Sequence, residues 1–97
     1  MIVAAARLTM VIPENDSLKG KRKVVKSLIE KARHKFDAAV AEVGDNDLWQ
    51  KAQVGIALVG NDSQLLGARM QQIVKFIENQ YEVEIIDSQV EYCYLKE

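Results

Sequence analysis

Two segments with the hydrophobic periodicity of a helix each lie between segments with the pattern of a strand. The first has apolar residues at helical spacing, namely Leu18, Val25, Leu28, Ile29, Ala32 and Phe36. The second has Leu66, Met70, Ile73, Val74 and Ile77. Alternating or β-rich stretches predict strands at residues 2–12, 36–43, 51–59 and 83–95. The predicted order of elements is therefore β-α-β-β-α-β.

This order restricts the topology to very few possibilities. Right-handed crossovers and a central hairpin predict an antiparallel four-stranded sheet of order 4-1-3-2, with both helices on one face. The predicted fold class is a ferredoxin-like α/β (α+β) sandwich, built as one domain over residues 1–97. Ser17 is the predicted N-cap of the first helix. Asn61, followed three residues later by Gln64, resembles a capping box for the second helix.

The composition is that of a soluble globular protein, with 48% hydrophobic and 28% charged residues. A single cysteine excludes an intrachain disulfide and favours a reducing compartment. The apolar N-terminus contains Arg7, soon meets Pro13, and is too short to span a bilayer, so it predicts a strand and not a signal peptide. We therefore expect a cytoplasmic protein that does not associate with a membrane.

The charges are distributed unevenly along the chain. Residues 17–35 hold eight Lys and Arg against Glu30 alone, a net +7, whereas the remainder of the chain carries −8. Five of these cations lie on the half of the first helix opposite its apolar stripe: Lys19, Arg22, Lys23, Lys26 and Arg33. They predict a phosphate-contacting face, with Lys21 assisting at the helix start. The alternative interpretation is an ordinary solvated helix face.

One face of the predicted sheet has no helix to cover it. The central strands place Val3, Ala5, Arg7, Gly55 and Ala57 there, together with Thr9 and Gln53. The first five of these residues and Trp49 form a candidate partner interface, and burial of this face predicts a homodimer. The central strands lack aromatic residues, and Tyr92 and Tyr94 on the edge strand are predicted to face the helices. Base stacking on the sheet is therefore not expected.

Catalytic or metal-binding constellations are not apparent in the sequence. His34 has no nucleophile and orienting acid near it in the chain, and Asp45 with Asp47 supplies too few ligands for calcium. We therefore predict a non-enzymatic protein without a metal or cofactor. Two function classes remain: an accessory protein that binds RNA or a ribosomal particle through the basic helix, and a protein-interaction or regulatory module.

Two stretches, "SLKGKRKVVKSLIEKARHKF" and "VAEVGDNDLWQKAQVGIALVGND", taken with the order of elements, resemble the YlxP-like family of small bacterial proteins. The resemblance implies a ferredoxin-like fold and no assigned activity or catalytic residues. Family genes often lie beside genes for transcription-antitermination, translation-initiation and ribosome-assembly factors, which favours RNA as the polyanion. Gly20 stands where the family pattern commonly has an acidic residue, so this helix start is more basic.

Overall fold

Four strands and two helices alternate in the computed structural model, which describes residues 1–80 and 82–96. The strands are β1 (Ile2–Val11), β2 (Ala39–Gly44), β3 (Lys51–Gly60) and β4 (Glu84–Tyr94), and the helices are α1 (Leu18–Phe36) and α2 (Ser63–Glu78). The predicted order of elements is confirmed. β2 begins three residues later than expected because α1 continues to Phe36 and ends at Asp37, which adopts a left-handed conformation.

The four strands form one antiparallel sheet in the order β2-β3-β1-β4. This is the predicted order 4-1-3-2 read from the other edge. β1 and β3 occupy the centre, and β2 and β4 are the two edge strands. The ferredoxin-like sandwich predicted from the pattern of elements is confirmed.

The register of β1 and β3 separates the two faces of the sheet. Ala4 lies opposite Leu58, Ala6 opposite Ile56, and Leu8 opposite Val54, and all six are buried under the helices. They join the apolar stripes of α1 and α2 in one core. The other face, referred to below as the open face, carries Val3, Ala5, Arg7 and Thr9 of β1 with Gln53, Gly55, Ala57 and Val59 of β3.

Side-chain caps start both helices. Ser17 caps α1 as predicted, since its hydroxyl accepts a hydrogen bond from the Gly20 N–H at 3.0 Å. The cap of α2 was predicted wrongly. Asp62, and not Asn61, is the N-cap, and its carboxylate accepts hydrogen bonds from the backbone N–H groups of Gln64 and Leu65. A carboxylate at this position also interacts favourably with the helix dipole.

Neither helix is both long and apolar enough to cross a membrane, judged on residues 1–80 and 82–96.

Candidate nucleic-acid interface

The outer side of α1 presents a cluster of exposed cations. Lys19, Arg22, Lys23, Lys26 and Arg33 are all exposed, as the sequence predicts, and are referred to below as the basic face. At 3.6 residues per turn these five side chains lie within about 100° of arc. They extend over about 21 Å along the helix axis. The basic face is therefore long enough to lie beside several consecutive phosphates.

Packing of the apolar stripe determines the direction of this face. Val25, Leu28 and Ala32 are buried between α1 and the sheet. Burial on one side of a helix leaves the opposite side to solvent. Glu30, an acidic residue, lies on the same exposed side. Because the five cations outnumber it, the basic face keeps a net positive charge.

One flank of the basic face borders the outer edge of β2. The Arg33 Nε–H donates a hydrogen bond of 2.8 Å to the backbone carbonyl of Val40. This bond fixes the guanidinium at the edge strand and leaves its remaining N–H groups for other acceptors. Arg22, Lys26 and Arg33 line a groove of about 400 Å³ between α1 and β2, with Glu30 and Glu42 on its walls. The groove can receive an anionic group beside three cations.

Lys21 does not belong to the basic face, and its prediction as a phosphate contact is wrong. Its side chain is 0% exposed. The ammonium lies 2.9 Å from Glu42 Oε2 and forms an ion pair with it, without the geometry of a hydrogen bond. The same ammonium donates a hydrogen bond to the backbone carbonyl of Asp45. Charge pairing satisfies a buried lysine that would otherwise be unstable in the core. Lys21 therefore holds α1 against the β2–β3 hairpin.

A second set of contacts ties the start of α1 to the same hairpin. The Asn15 carboxamide donates to the carbonyls of Ser17 and Trp49, and the Gln50 carboxamide donates to the Asn15 carbonyl at 2.9 Å. A Cβ on Gly20 would lie 2.4 Å from Asn15 Oδ1. Gly20 therefore leaves the room that Asn15 needs, which explains its presence inside the first turn of a helix.

The candidate partner residues on the sheet lie together on the open face. Ala5 pairs with Ala57 and Arg7 with Gly55, and Val3 lies two residues along the same face. Ala5, Gly55 and Ala57 line a shallow, mostly apolar depression of about 440 Å³ that continues onto β2. Arg7 lies at its rim and donates a 2.7 Å hydrogen bond to the Gln89 side chain. The predicted clustering of these five residues is confirmed.

Trp49 lies apart from the other candidate partner residues. It follows the β2–β3 turn and is 56% exposed, so it does not close the end of the core. It borders a separate depression with Val11, Leu48 and Lys51. A tryptophan beside a polar turn can either seal the end of the core or lie at an interface, and the exposure of Trp49 agrees with the second alternative.

The distribution of aromatic residues excludes an RNA-binding sheet of the stacking type among the residues that the structure describes. The open face of β1 and β3 carries no aromatic side chain. Tyr92 and Tyr94 lie opposite Ala4 and Ile2, which are buried under the helices, so they belong to the predicted face of the sheet. Both remain exposed on this edge strand, although the Tyr92 hydroxyl lies against Gly67 of α2. The two central strands therefore offer no aromatic platform on which bases could stack.

A metal-binding cluster would require titratable side chains outside the basic face to lie together in the fold. Within residues 1–80 and 82–96, no three His, Cys, Asp or Glu side chains are placed to hold a metal ion. His34 is exposed on the last turn of α1, whereas Arg7 lies on the open face of the sheet.

Comparison with known proteins assigns the family. A family model described as "Protein of unknown function (DUF503)" matches residues 3–90. The chain belongs to this family. It is 30% identical over 83 residues to an uncharacterized protein, YlxP, of Bacillus subtilis (strain 168), covering 86% of this chain and 90% of that protein. The resemblance to the YlxP-like family is confirmed.

The fold also resembles that of a solved structure. A de novo designed protein, Foldit4, superposes with a TM-score of 0.54 and covers 99% of this chain and 100% of its own. Its sequence identity is 13%, so the likeness concerns the fold alone.

Sequence reasoning missed the ion pair beneath the basic face, although two signals pointed to it. Lys21 falls inside the apolar stripe of α1, between Leu28 and Ala32 on a helical projection. Glu42 lies two residues after the buried Val40 on a strand, hence on the same face. Two opposite charges at core-facing positions predict a buried pair.

Proposed function

We propose that this protein is a non-enzymatic accessory protein that binds structured RNA through the basic face of α1. The single observation that supports this function is the exposure of Lys19, Arg22, Lys23, Lys26 and Arg33 on one side of a helix. In a chain of net charge −1, this concentration gives the molecule a positive side that attracts a polyanion.

The form of recognition follows from the chemistry of these side chains. Lysine and arginine bind phosphate oxygens without reading the base sequence. Arg33, held at the edge of β2 by its bond to Val40, is suited to bidentate contact with one phosphate. The lysines act as flexible point charges along the same backbone. Binding is therefore expected to follow RNA shape and charge more than sequence.

Binding to a labelled RNA hairpin across a salt series tests the proposal. Five phosphate contacts predict that log K falls with log[salt] with a slope of about −3.5 to −4.5. A hairpin of the same shape and scrambled sequence should bind with similar affinity. Absence of binding to the hairpin and to isolated ribosomes at low salt would contradict the proposal.

A protein-interaction module is the second candidate, supported by the exposed Trp49 and the apolar depression on the open face. A photo-crosslinking amino acid at Ala57 should then yield a cross-linked product of defined mass in cells, while the same group at Gln72 on the exposed side of α2 should not. Reversing the charges of the basic face would leave the product intact if this function is correct. Equal cross-linking from both positions would count against it.

A further inference from the structure

We propose that the outer edge of β4 pairs with the same edge of a second copy of this chain, antiparallel across a twofold axis. The product is a continuous eight-stranded sheet. This goes beyond RNA binding and assigns the homodimer expected from the sequence to a different surface from the open face.

The direction of the backbone groups of β4 supports this pairing. The Leu95 N–H donates to the Met1 carbonyl at 2.9 Å, and the Met1 amino group donates back to the Leu95 carbonyl at 3.4 Å. In an antiparallel ladder such pairs alternate along the strand. Cys93 and Glu91 therefore direct their backbone groups toward β1, whereas Tyr94, Tyr92 and Val90 direct theirs toward the outer edge.

The outer edge of β4 also lacks the usual protection against pairing. Edge strands are normally short, or carry lysine, proline or a covering contact. β4 is 11 residues long and contains neither lysine, arginine nor proline. On its helix-side face Val90 is 43% and Tyr92 39% exposed, and Tyr94 is more exposed still. A second strand would remove these apolar side chains from water.

The other edge strand provides a contrast within the same molecule. β2 has six residues against eleven in β4, and each of the two edge strands has one irregularity in its pairing. The backbone carbonyl of Val40 already accepts a hydrogen bond from the Arg33 guanidinium. One edge of the sheet is therefore blocked, and the edge formed by β4 is available.

The charges, the bulge and the bounds of β4 together favour one twofold register. An axis at Val90 places Glu91 opposite Gln89 of the second copy and uses residues 86–94, all within β4. Moving the axis to residue 89 places Glu91 opposite Asp87, and moving it to Glu91 places that residue opposite itself. Directly opposed like charges destabilise a strand pair. Axes at Ser88 and Tyr92 also avoid opposed like charges. The first places the bulge at Ile86 in the middle of the ladder, opposite Val90, and the second shortens the ladder within β4 to residues 90–94.

With the axis at Val90, apolar side chains meet across the interface. Val90 lies opposite Val90 of the second copy, and Tyr92 lies opposite Ser88 on the same helix-side face. The self-complementary row is what a closed twofold interface requires. α1 packs near β2 at the far edge of the sheet, so both basic faces stay accessible.

Light scattering across a dilution series, with matched lysine variants, tests the pairing. The wild-type mass should approach twice 10.9 kDa at high micromolar concentration. V90K places two lysines opposite each other and should raise the dimer dissociation constant about tenfold or more. V59K introduces the same charge at an exposed valine of β3, and A57R alters the open face. Both should leave the dimer unchanged.

A mixture of V90K and V90E tests the register itself. Each variant alone should be monomeric, and the equimolar mixture should recover the dimeric mass because residue 90 meets residue 90 across the axis. Circular dichroism confirms that each variant is folded. A monomeric wild type at several hundred micromolar would overturn the proposal. So would a dimer broken by A57R but not by V90K, or a mixture that stays monomeric.

Discussion

Replacing Lys21 with methionine is expected to lower the free energy of unfolding by about 3 kcal/mol, at the lower end of the range for breaking a buried ion pair. Lys21 is fully buried, and Glu42 retains 20% exposure, which moderates the cost of leaving its carboxylate unpaired. The Asp45 carbonyl also loses its donor. For a chain of this length, such a loss corresponds to a fall in Tm of about 12–24 °C. Urea and thermal denaturation followed by circular dichroism measure both quantities.

Two variants distinguish the effect of breaking the ion pair from the effect of removing a lysine. K23M removes an exposed lysine two residues further along α1 and should change stability by less than about 0.5 kcal/mol. The double variant K21M/E42L replaces both charges by apolar groups and should recover most of the lost stability. A K21M protein as stable as K23M would show that the pair contributes nothing.

Reversal of three charges on the basic face, as K19E/K23E/K26E, is expected to weaken RNA binding about 100- to 500-fold near 0.1 M salt. Each lost phosphate contact removes about 0.7–0.9 of the salt slope, so the slope should become shallower by about 2–3. The fold should be retained because all three side chains are exposed and Lys21 is untouched. Fluorescence anisotropy with the labelled hairpin measures the affinity at each salt concentration.

The matched control reverses three exposed lysines elsewhere, as K51E/K75E/K96E. Both triple variants change the net charge equally, so a long-range effect of charge would weaken binding equally in each. Local phosphate contact predicts that the control loses less than about tenfold. Equal losses in the two variants would assign binding to the overall field of the molecule and not to α1.

Local periodicity was sufficient to determine the architecture of this protein. The stripes of α1 and α2 and the alternation of β1 and β3 specify which side of each element is buried, and the order of elements then restricts the sheet to one arrangement. The same reasoning located the open face, because strand alternation assigns Ala5 and Ala57 to the side opposite the core. It also predicted correctly that five of the six candidate phosphate-binding side chains are exposed, since a residue opposite an apolar stripe is exposed wherever that stripe is buried.

Tertiary structure decided the features that depend on which elements meet. Lys21 is buried and does not belong to the basic face, because the β2–β3 hairpin brings Glu42 and the Asp45 carbonyl to its ammonium. These two residues are 21 and 24 positions away from Lys21 in the sequence. Tyr92 lies on the predicted face of β4 and its hydroxyl reaches Gly67 of α2, yet it remains exposed because an edge strand has a neighbouring strand on one side only. A one-dimensional pattern records the direction of a side chain relative to its own element. Whether another element covers that side chain depends on the position of each element in the sheet and on the reach of its neighbours.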